Sequence, residues 1–353
     1  MPEVQQSLAF LIIAGSVDCF GVVSSLLMLC YLFCNRVGSK LTTNLMKNQL
    51  AFDGLTSGFA LLSLLIPDDA FKSLGPFSGL FCHLWVSRTV FWFFVLLSET
   101  NLVCIAVDRI RAVTFSSTYK QREKTTMAAY YFFIFGYSGI FAIPSVFTVT
   151  DDGTICRHLM SNVSTDSLNT YSIVHAYLWL FTGYLVPGLL MAGCYIVVAI
   201  SMRKFILKKI GNLGITSAAV VQNNSHQSSY CHSTLSSFSR SFIVTAITMW
   251  SAFLVTHAYY TIYTILCSHG FIQFIPESVQ RRVSIFATVL NSTLNPLIMV
   301  VSSPPFRRGL WEFLRSCNPI SALSNASNAS SVNRNGQNGM SLSRGSQSCA
   351  TGQ

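Results

Sequence analysis

The sequence predicts an all-α membrane protein, built as a bundle of seven transmembrane helices. Its 353 residues are 51% hydrophobic and only 10% charged, whereas soluble domains carry roughly a quarter charged residues. Apolar stretches of about 20 or more residues, long enough to cross a hydrocarbon layer of ~30 Å, recur along the chain. They lie at residues 8–33, 43–67, 82–107, 127–149, 171–201, 241–267 and 283–303, and we number them segments 1 to 7.

The basic residues predict the orientation of the bundle. Lys and Arg concentrate in the first, third and fifth connections and in the tail, whereas the alternate connections carry the acidic pairs at 68–69 and 151–152. Because Lys and Arg mark the cytoplasmic side, residues 1–7 should lie outside the cell and the connection of about 204–240 inside. The net charge of +10 is then a topology signal, and no compact basic domain suggests nucleic-acid binding.

The parts of the chain outside the spans are short or polar. Residues 304–317 have the apolar and basic faces of a helix lying on the inner membrane surface. Residues 318–353 are rich in Asn, Ser and Gly, which predicts a disordered cytoplasmic tail. Asn162 opens an Asn-Val-Ser glycosylation acceptor, and Cys317 is a palmitoylation candidate beside the membrane.

Several spans carry polar side chains near the middle of the membrane, where a group facing lipid is costly. These side chains should therefore face the interior of the bundle and meet one another. They act either as simple adhesion between helices or as a hydrated polar cluster inside a bundle with two conformations. The residues are Asp53, Ser98, Glu99, Asn101, His257, Asn291 and Asn295.

Short motifs in four of the segments resemble those of the rhodopsin-like (class A) G-protein-coupled receptors. "VDRIRAV" at 107–113 is similar to the Asp-Arg-Tyr motif that closes the third helix of that family. "NQLAFD" at 48–53 resembles its segment 2 pattern, and "NSTLNPLIM" at 291–299 its segment 7 motif. Pro187 and Tyr195 have the family spacing in segment 5. Together they cover about residues 8–317 and imply a receptor in the plasma membrane, with its N-terminus outside.

The resemblance implies roles for individual residues. Arg109, held by Asp108 at rest, would swing toward Tyr195 as segment 6 moves outward and opens a cleft for a heterotrimeric G protein. Cys82 and Cys156 match the family's extracellular disulfide, and the serine-rich tail could recruit arrestin once phosphorylated. The coupling and activation residues would be Asp108, Arg109, Tyr195, Asn295, Pro296 and Met299. The matching set for an allosteric Na⁺ is Asp53, Ser98, Asn291 and Asn295, and the resemblance implies no other cofactor.

Segment 6 departs furthest from the family pattern. Aligning Phe253 and Tyr260 places His257 where the family has its rotamer-switching Trp, so the core switch would comprise Glu99, Pro187, Phe253 and His257. The alternative alignment uses Trp250 as that Trp. Under the first alignment Glu99 and His257 should come within hydrogen-bond reach. His257 is then either a plain packing substitute for the family Trp or one member of a pH-sensitive pair with Glu99. Ile110 and Met299 are further departures, since both replace a family Tyr.

The outer half of the bundle suggests the kind of ligand. Phe91 stands where amine receptors have an Asp. The stretch "TVTDDGTICRH" at 148–158 has a two-residue turn signal at Asp152-Gly153 and predicts a β-hairpin, which resembles peptide receptors. An aromatic pocket rimmed by Arg suits a small peptide with an acidic or aromatic end. The candidate pocket residues are Arg88, Phe91, Trp92, His175, Tyr260, Tyr263, Arg281 and Arg282.

The main hypothesis is therefore a receptor that binds an extracellular ligand, most simply a small peptide, and activates a heterotrimeric G protein. One alternative is a receptor-fold scavenger or scaffold that does not couple to G protein, which Ile110 and Met299 favour. A second is a seven-span transporter or channel with Asp53, Glu99 and His257 along an ion path. No nucleophile–base pair or metal-ligand spacing suggests an enzyme.

Overall fold

A computed structural model describes most of the chain. The described residues are 2–66, 77–114, 119, 122–151, 156–158, 166–216, 226–275 and 278–316. The predictions for Asp152, Asn162, Cys317 and the tail at 318–353 fall outside these ranges. The chain separates into two compact units, residues 1–307 and 308–353.

The described backbone is mainly helical, with one small sheet. The helices are α1 (Pro2–Cys34), α2 (Lys40–Leu65), α3 (Ser78–Phe81), α4 (Thr89–Thr114), α5 (Glu123–Val146), α6 (Asp166–Trp179), α7 (Val186–Thr216), α8 (His226–Ser268), α9 (Val279–Ser302) and α10 (Pro304–Ser316). The strands are β1 (Val149–Asp151) and β2 (Cys156–His158).

The predicted bundle of seven spans is confirmed. Among the described residues, six helical stretches are long and apolar enough to cross a membrane. The seventh is α2, whose 26 residues also suffice at a rise of ~1.5 Å per residue. Its mean hydropathy is lowered by polar side chains such as Gln49 and Asp53, which are completely buried against the neighbouring helices.

Two helices continue beyond the predicted spans on the cytoplasmic side. α7 ends at Thr216 and α8 begins at His226, so helical backbone enters the connection of about 204–240. Residues 203–210 contain no Pro or Gly and are rich in Lys, Leu and Ile, so nothing in their sequence stops the helix at the membrane surface.

Segment 3 is interrupted near its outer end. A π-helical turn, Cys82–Val86, follows α3, and Arg88 has a φ of 58° just before α4 begins. The hydroxyl of Ser87 lies 2.6 Å from that of Thr89 across this break. The spacing from Cys82 to Arg109 is two residues longer than the family pattern. A π turn takes up an extra residue, so the interruption accommodates the longer spacing.

The predicted extracellular hairpin and disulfide are both present. β1 and β2 are antiparallel, with Asp151 opposite Cys156, and Cys156 forms a disulfide with Cys82. This register leaves residues 152–155 between the strands, and the turn predicted at Asp152-Gly153 lies outside the described residues. The disulfide attaches the hairpin to the outer end of segment 3, above the centre of the bundle.

α4 is the central helix of the bundle, with α2, α5, α7 and α8 packed around it. Nearly all of its residues from Val95 to Ala106 are buried. Segment 1 packs closely on α2 and α9. A Cβ atom at Gly21 would lie only 2.6 Å from the hydroxyls of Ser57 and Thr293. The side chains that α4 directs to its neighbours therefore define the interior sites.

Candidate functional site

The end of segment 3 that is predicted to be cytoplasmic holds a buried hydrogen-bonded carboxylate. Asp108 is fully buried, and its oxygens accept from Thr42 Oγ1 at 3.0 Å and from Tyr119 Oη at 2.8 Å. Arg109 donates to the same carboxylate at 2.5 Å. Burial, and secondarily the charge of Asp108, raises the pKa of Tyr119, which keeps this phenol a donor. The predicted Asp108–Arg109 contact is confirmed, and Tyr119 and Thr42 are partners that the sequence reasoning missed.

Segment 6 is closed against segment 7 at the same end. Ser302 Oγ donates to Thr245 Oγ1 at 2.7 Å. Arg109, Thr245 and Met249 line a cavity of about 10 Å³ between segments 2, 3 and 6, the size of a single water molecule. Outward movement of segment 6 would break the Thr245–Ser302 bond and enlarge this cavity. Tyr195 and Met299 are buried.

A second buried carboxylate, Asp53, lies deeper in the bundle between segments 2, 3 and 7. Its oxygens accept from Ser98 Oγ at 2.6 Å and from Asn295 Nδ2 at 3.0 Å. Gln49 Nε2 lies 3.1 Å from both oxygens. Asn291, also in the predicted sodium set, is buried, and its Oδ1 has no hydrogen bond to the described residues. The sequence reasoning missed Gln49, although it lies four residues before Asp53 and hence on the same helix face.

The predicted approach of Glu99 and His257 is confirmed. Glu99 Oε1 lies 2.9 Å from His257 Nε2, and both side chains are 2% exposed. The contact has the length of an ion pair but is poorly aligned. Within the described structure neither Glu99 oxygen nor His257 Nε2 makes a hydrogen bond of normal geometry. The pair is thus held mainly by proximity, in a site from which lipid and bulk water are excluded.

The other ring nitrogen of His257 indicates where its proton lies. Nδ1 is 3.2 Å from the carbonyl oxygen of Phe253 and 3.1 Å from Thr256 Oγ1. The Thr256 hydroxyl already donates to the carbonyl of Ala252 at 2.8 Å, so Nδ1 must donate. With Nδ1 donating, Nε2 faces Glu99 as an acceptor in a neutral imidazole and as a donor in an imidazolium.

Trp250 faces segment 5. Its Nε1 donates to the carbonyl of Gly188 at 3.0 Å. In the reverse direction, Tyr184 Oη donates to the carbonyl of Leu254 at 3.1 Å. These two bonds join segments 5 and 6 just beyond Pro187. The ring centroid of His257 lies 4.6 Å from that of the buried Phe253. His257 also faces Glu99 in the core, which favours the alignment that gives His257 the switch position.

An outer cavity of about 50 Å³ lies below the hairpin, between the spans. It has an aromatic floor, in which the ring centroid of Trp92 lies 4.7 Å from that of Trp179 and 4.3 Å from that of Tyr260. The lining residues are Ser87, Trp92, Ser145, Thr148, His158, His175, Tyr260, Tyr263, Thr264, Phe274, Arg281 and Ile285.

The roof of this cavity is positively charged. The guanidinium of Arg281 lies 4.5 Å from the ring centroid of Phe274, which also packs on His158 of β2. Burial, and secondarily the charges of Arg281 and Arg88, lowers the pKa of His158 to about 3. His158 is therefore a neutral hydrogen-bonding group at ordinary pH. Sequence reasoning missed both His158 and Phe274, although the hairpin prediction included the first.

The remaining pocket candidates lie elsewhere. Phe91 packs in the core with its ring centroid 4.9 Å from that of Trp92. Arg88 donates to Ser63 Oγ at 2.8 Å, and Arg282 is absent from the residues that line the cavity. The cavity therefore takes only part of the predicted arginine rim.

Segment 1 carries a buried acid that the sequence reasoning also missed. Asp18 is 3% exposed, and its Oδ1 has no hydrogen bond to the described residues. It lies one helical turn from Gly21, on the face that packs against segments 2 and 7. An acidic residue inside an apolar span was the available signal.

The amino-acid sequence matches the model of a known protein family. Residues 24–299 match the model of the 7 transmembrane receptor (rhodopsin family). This chain belongs to the rhodopsin family of receptors. The match covers five of the segments completely, most of the seventh and part of the first, and it favours a receptor over the transporter hypothesis.

Among solved structures this rhodopsin-family receptor is similar to squid rhodopsin, with a TM-score of 0.63. The match covers 88% of this chain and 86% of squid rhodopsin, at 15% sequence identity. At that identity the similarity supports the fold alone. A search of curated proteins finds no match.

Proposed function

We propose that this rhodopsin-family chain is a plasma-membrane receptor that activates a heterotrimeric G protein when an extracellular ligand binds. The observation that carries the proposal is the Asp108 site. A fully buried carboxylate restrains Arg109 next to a water-sized cavity at the cytoplasmic ends of segments 3 and 6. Such a restraint suits a surface that opens only on activation.

The route from ligand to cytoplasm runs along segment 6. Tyr260 lines the outer cavity, His257 contacts Glu99 less than one turn below it, and Thr245 closes the cytoplasmic end. A ligand that shifts Tyr260 would rotate segment 6 against the buried Glu99. That rotation would break the Thr245–Ser302 bond and release Arg109 toward Tyr195.

The outer cavity supports a small peptide as the ligand. At about 50 Å³ it holds one end of a peptide rather than a whole chain. Its aromatic floor fits an apolar or aromatic side chain. Arg281 suits a carboxylate, because the planar fork of its guanidinium N–H groups matches the geometry of a carboxylate.

Coupling is tested by expressing the full chain in cells, applying a panel of short peptides and recording G-protein activation. We expect Arg109→Ala to abolish most of any peptide response at equal surface expression. Arg122→Ala is the matched control, since Arg122 is exposed at the start of α5 and should leave the response intact. A peptide response that survives Arg109→Ala would contradict the coupling mechanism.

Ligand class is tested separately, with each active peptide supplied as the free C-terminal acid and as the amide. We expect the acid to be more potent. Arg281→Gln should weaken it by about tenfold, the value of one charge-assisted hydrogen bond. Arg282→Gln is the control, since its side chain does not line the cavity. Equal potency of acid and amide would overturn the acidic-end proposal while leaving G-protein coupling intact.

A second candidate function is a receptor-fold scavenger or scaffold without coupling. Met299 favours it, because this fully buried thioether replaces a family Tyr and removes a hydroxyl from the interior at the cytoplasmic side. The two functions differ in one measurement. A scavenger would bind and internalise an active peptide without nucleotide exchange on any G protein, including when segment 6 is loosened by Thr245→Val.

A further inference from the structure

The Asp53 site contains a side chain that competes with a cation. Gln49 is fully buried, and its Nε2 is 3.1 Å from both Asp53 oxygens and 2.6 Å from Ser98 Oγ. An amide nitrogen equidistant from both oxygens lies on the bidentate side of the carboxylate. That is a position that a metal ion bound to both oxygens would also take.

The orientation of the Gln49 amide is determined by its other neighbour. Asn101 Nδ2 donates to Gln49 Oε1 at 2.9 Å and to the carbonyl of Leu45, also at 2.9 Å. Rotating the Gln49 amide by half a turn would place its NH₂ against the NH₂ of Asn101. It would also place its oxygen against the Asp53 carboxylate. Both contacts would be repulsive, so the NH₂ group points at Asp53.

These residues do not fit Na⁺ as they stand. A hard cation requires oxygen lone pairs, but the Asp53 oxygens already accept from Gln49, Ser98 and Asn295. An ion beside both oxygens would meet the N–H protons of Gln49. Moving Gln49 aside would break the hydrogen bond from Asn101 to Gln49 Oε1 and leave the buried Gln49 amide without its partners, which is costly.

We infer that the amide of Gln49 takes the place of the allosteric cation, so that this receptor is not regulated by sodium. The N–H dipole directed at both oxygens supplies part of the positive potential that an ion would contribute. Unlike an ion, it is covalently attached to segment 2 and cannot dissociate on activation. The inference concerns the inactive state alone and does not depend on the ligand or on G-protein coupling.

The wild-type protein provides the first test. The purified full chain, in lipid nanodiscs, is unfolded thermally in NaCl, in KCl and in choline chloride at equal ionic strength. We expect the same midpoint in all three salts. A higher midpoint in NaCl that disappears in Asp53→Asn would show a functional sodium site and overturn the inference.

Gln49→Leu provides the second test. Removing the amide frees both Asp53 oxygens while keeping an apolar side chain of similar length. We expect a sodium-specific rise of the midpoint, on the order of a few degrees and saturating with NaCl. The rise should be lost in the double variant Gln49→Leu with Asp53→Asn. If Gln49→Leu gains no sodium response, the amide is not what excludes the ion and the inference is wrong.

Asn48→Leu is the matched control. Asn48 is the neighbouring amide on α2 and interacts with Tyr131 Oη on segment 4, at 3.4 Å, away from Asp53. Its substitution should produce no sodium response. A sodium response in Asn48→Leu would mean that the response of Gln49→Leu comes from general loosening of segment 2, and it would overturn the inference. If Gln49→Leu is not produced as folded protein, Gln49→Met is used, and the wild-type salt comparison remains decisive by itself.

Discussion

Ser98 and Glu99 are neighbours on α4, but their side chains enter two different buried polar sites. Ser98 donates to Asp53, which also accepts from Gln49 and Asn295. Glu99 faces the opposite way, and its ion-pair contact within the described part of the chain is His257, at 2.9 Å. Both acids are almost completely inaccessible. One is surrounded by neutral donors, and the other depends on a single partner.

The Asp53 and Glu99 sites compensate the cost of burying an acid in different ways. At Asp53 the cost of burial is spread over donors from three helices, so the loss of one leaves the others. At Glu99 the loss of His257 leaves a buried carboxyl with no partner among the described residues. We therefore expect the two sites to respond differently to the same kind of substitution.

The largest expected effect is at His257. His257→Leu should destabilise the receptor by about 3 kcal/mol, the range found when one member of a buried pair is removed. The double variant Glu99→Leu with His257→Leu should recover most of this loss, because neither polar group then remains. Thermal unfolding of the three proteins in the same detergent measures the coupling. Additive single effects would show that the two side chains do not act as a pair.

A smaller effect is expected at Asp53. Asp53→Asn keeps one oxygen acceptor for the donors but places an NH₂ group against them. We expect a loss of about 2 kcal/mol, as for one charge-assisted hydrogen bond. Asn295→Ala should cost less, since Gln49 and Ser98 remain. A collapse of the fold on either substitution would contradict the distributed character of this site.

His158 extends the comparison to a third site, which is surrounded by positive charge. His158 lies near Arg281 and Arg88, and its pKa falls to about 3, below the ordinary value of ~6.5. The folded state therefore binds a proton less readily than the unfolded state. Stability should decline as the pH falls below about 6.5, by roughly 1 kcal/mol at pH 5.5. His158→Gln should remove this part of the acid sensitivity in unfolding measured from pH 8 to 5.5.

The smallest effect is expected for Glu99→Gln. The amide N–H of the variant can donate to Nε2 of a neutral His257, so stability should change by less than about 1 kcal/mol. Signalling should remain flat between about pH 5.5 and 8 in both proteins. A pH-dependent response that Glu99→Gln removes would instead support the pH-sensitive alternative for this pair.

Much of the fold could be predicted from the chain alone because each span must hide its backbone from lipid. That requirement leaves a long apolar signature that local sequence reveals. The hairpin was also readable, since its strands flank a cysteine and a turn signal. Its register was not, because the pairing of Asp151 with Cys156 depends on the disulfide to Cys82 and on packing.

The candidate sites were predicted unevenly. Glu99 and His257 stood out as ionisable groups within apolar spans, and their contact followed from the alignment of segments 3 and 6. Gln49 and Asp18 were missed. An amide beside Asp53 does not by itself indicate which way it faces, and an acid in segment 1 belongs to none of the motifs. His158 was included in the hairpin, but its neighbours Phe274 and Arg281 come from distant parts of the chain.

By itself, the sequence determined the seven spans, the family motifs and the presence of acids within the spans, and it predicted which side is cytoplasmic. These properties depend on composition and on spacing along one helix. The tertiary structure alone decided that Gln49 points its NH₂ at Asp53 and that Trp250 joins segments 5 and 6. It also decided that His257 is the ion-pair contact of Glu99 among the described residues. Those outcomes depend on the rotation of each helix about its axis, which is set by packing against its neighbours.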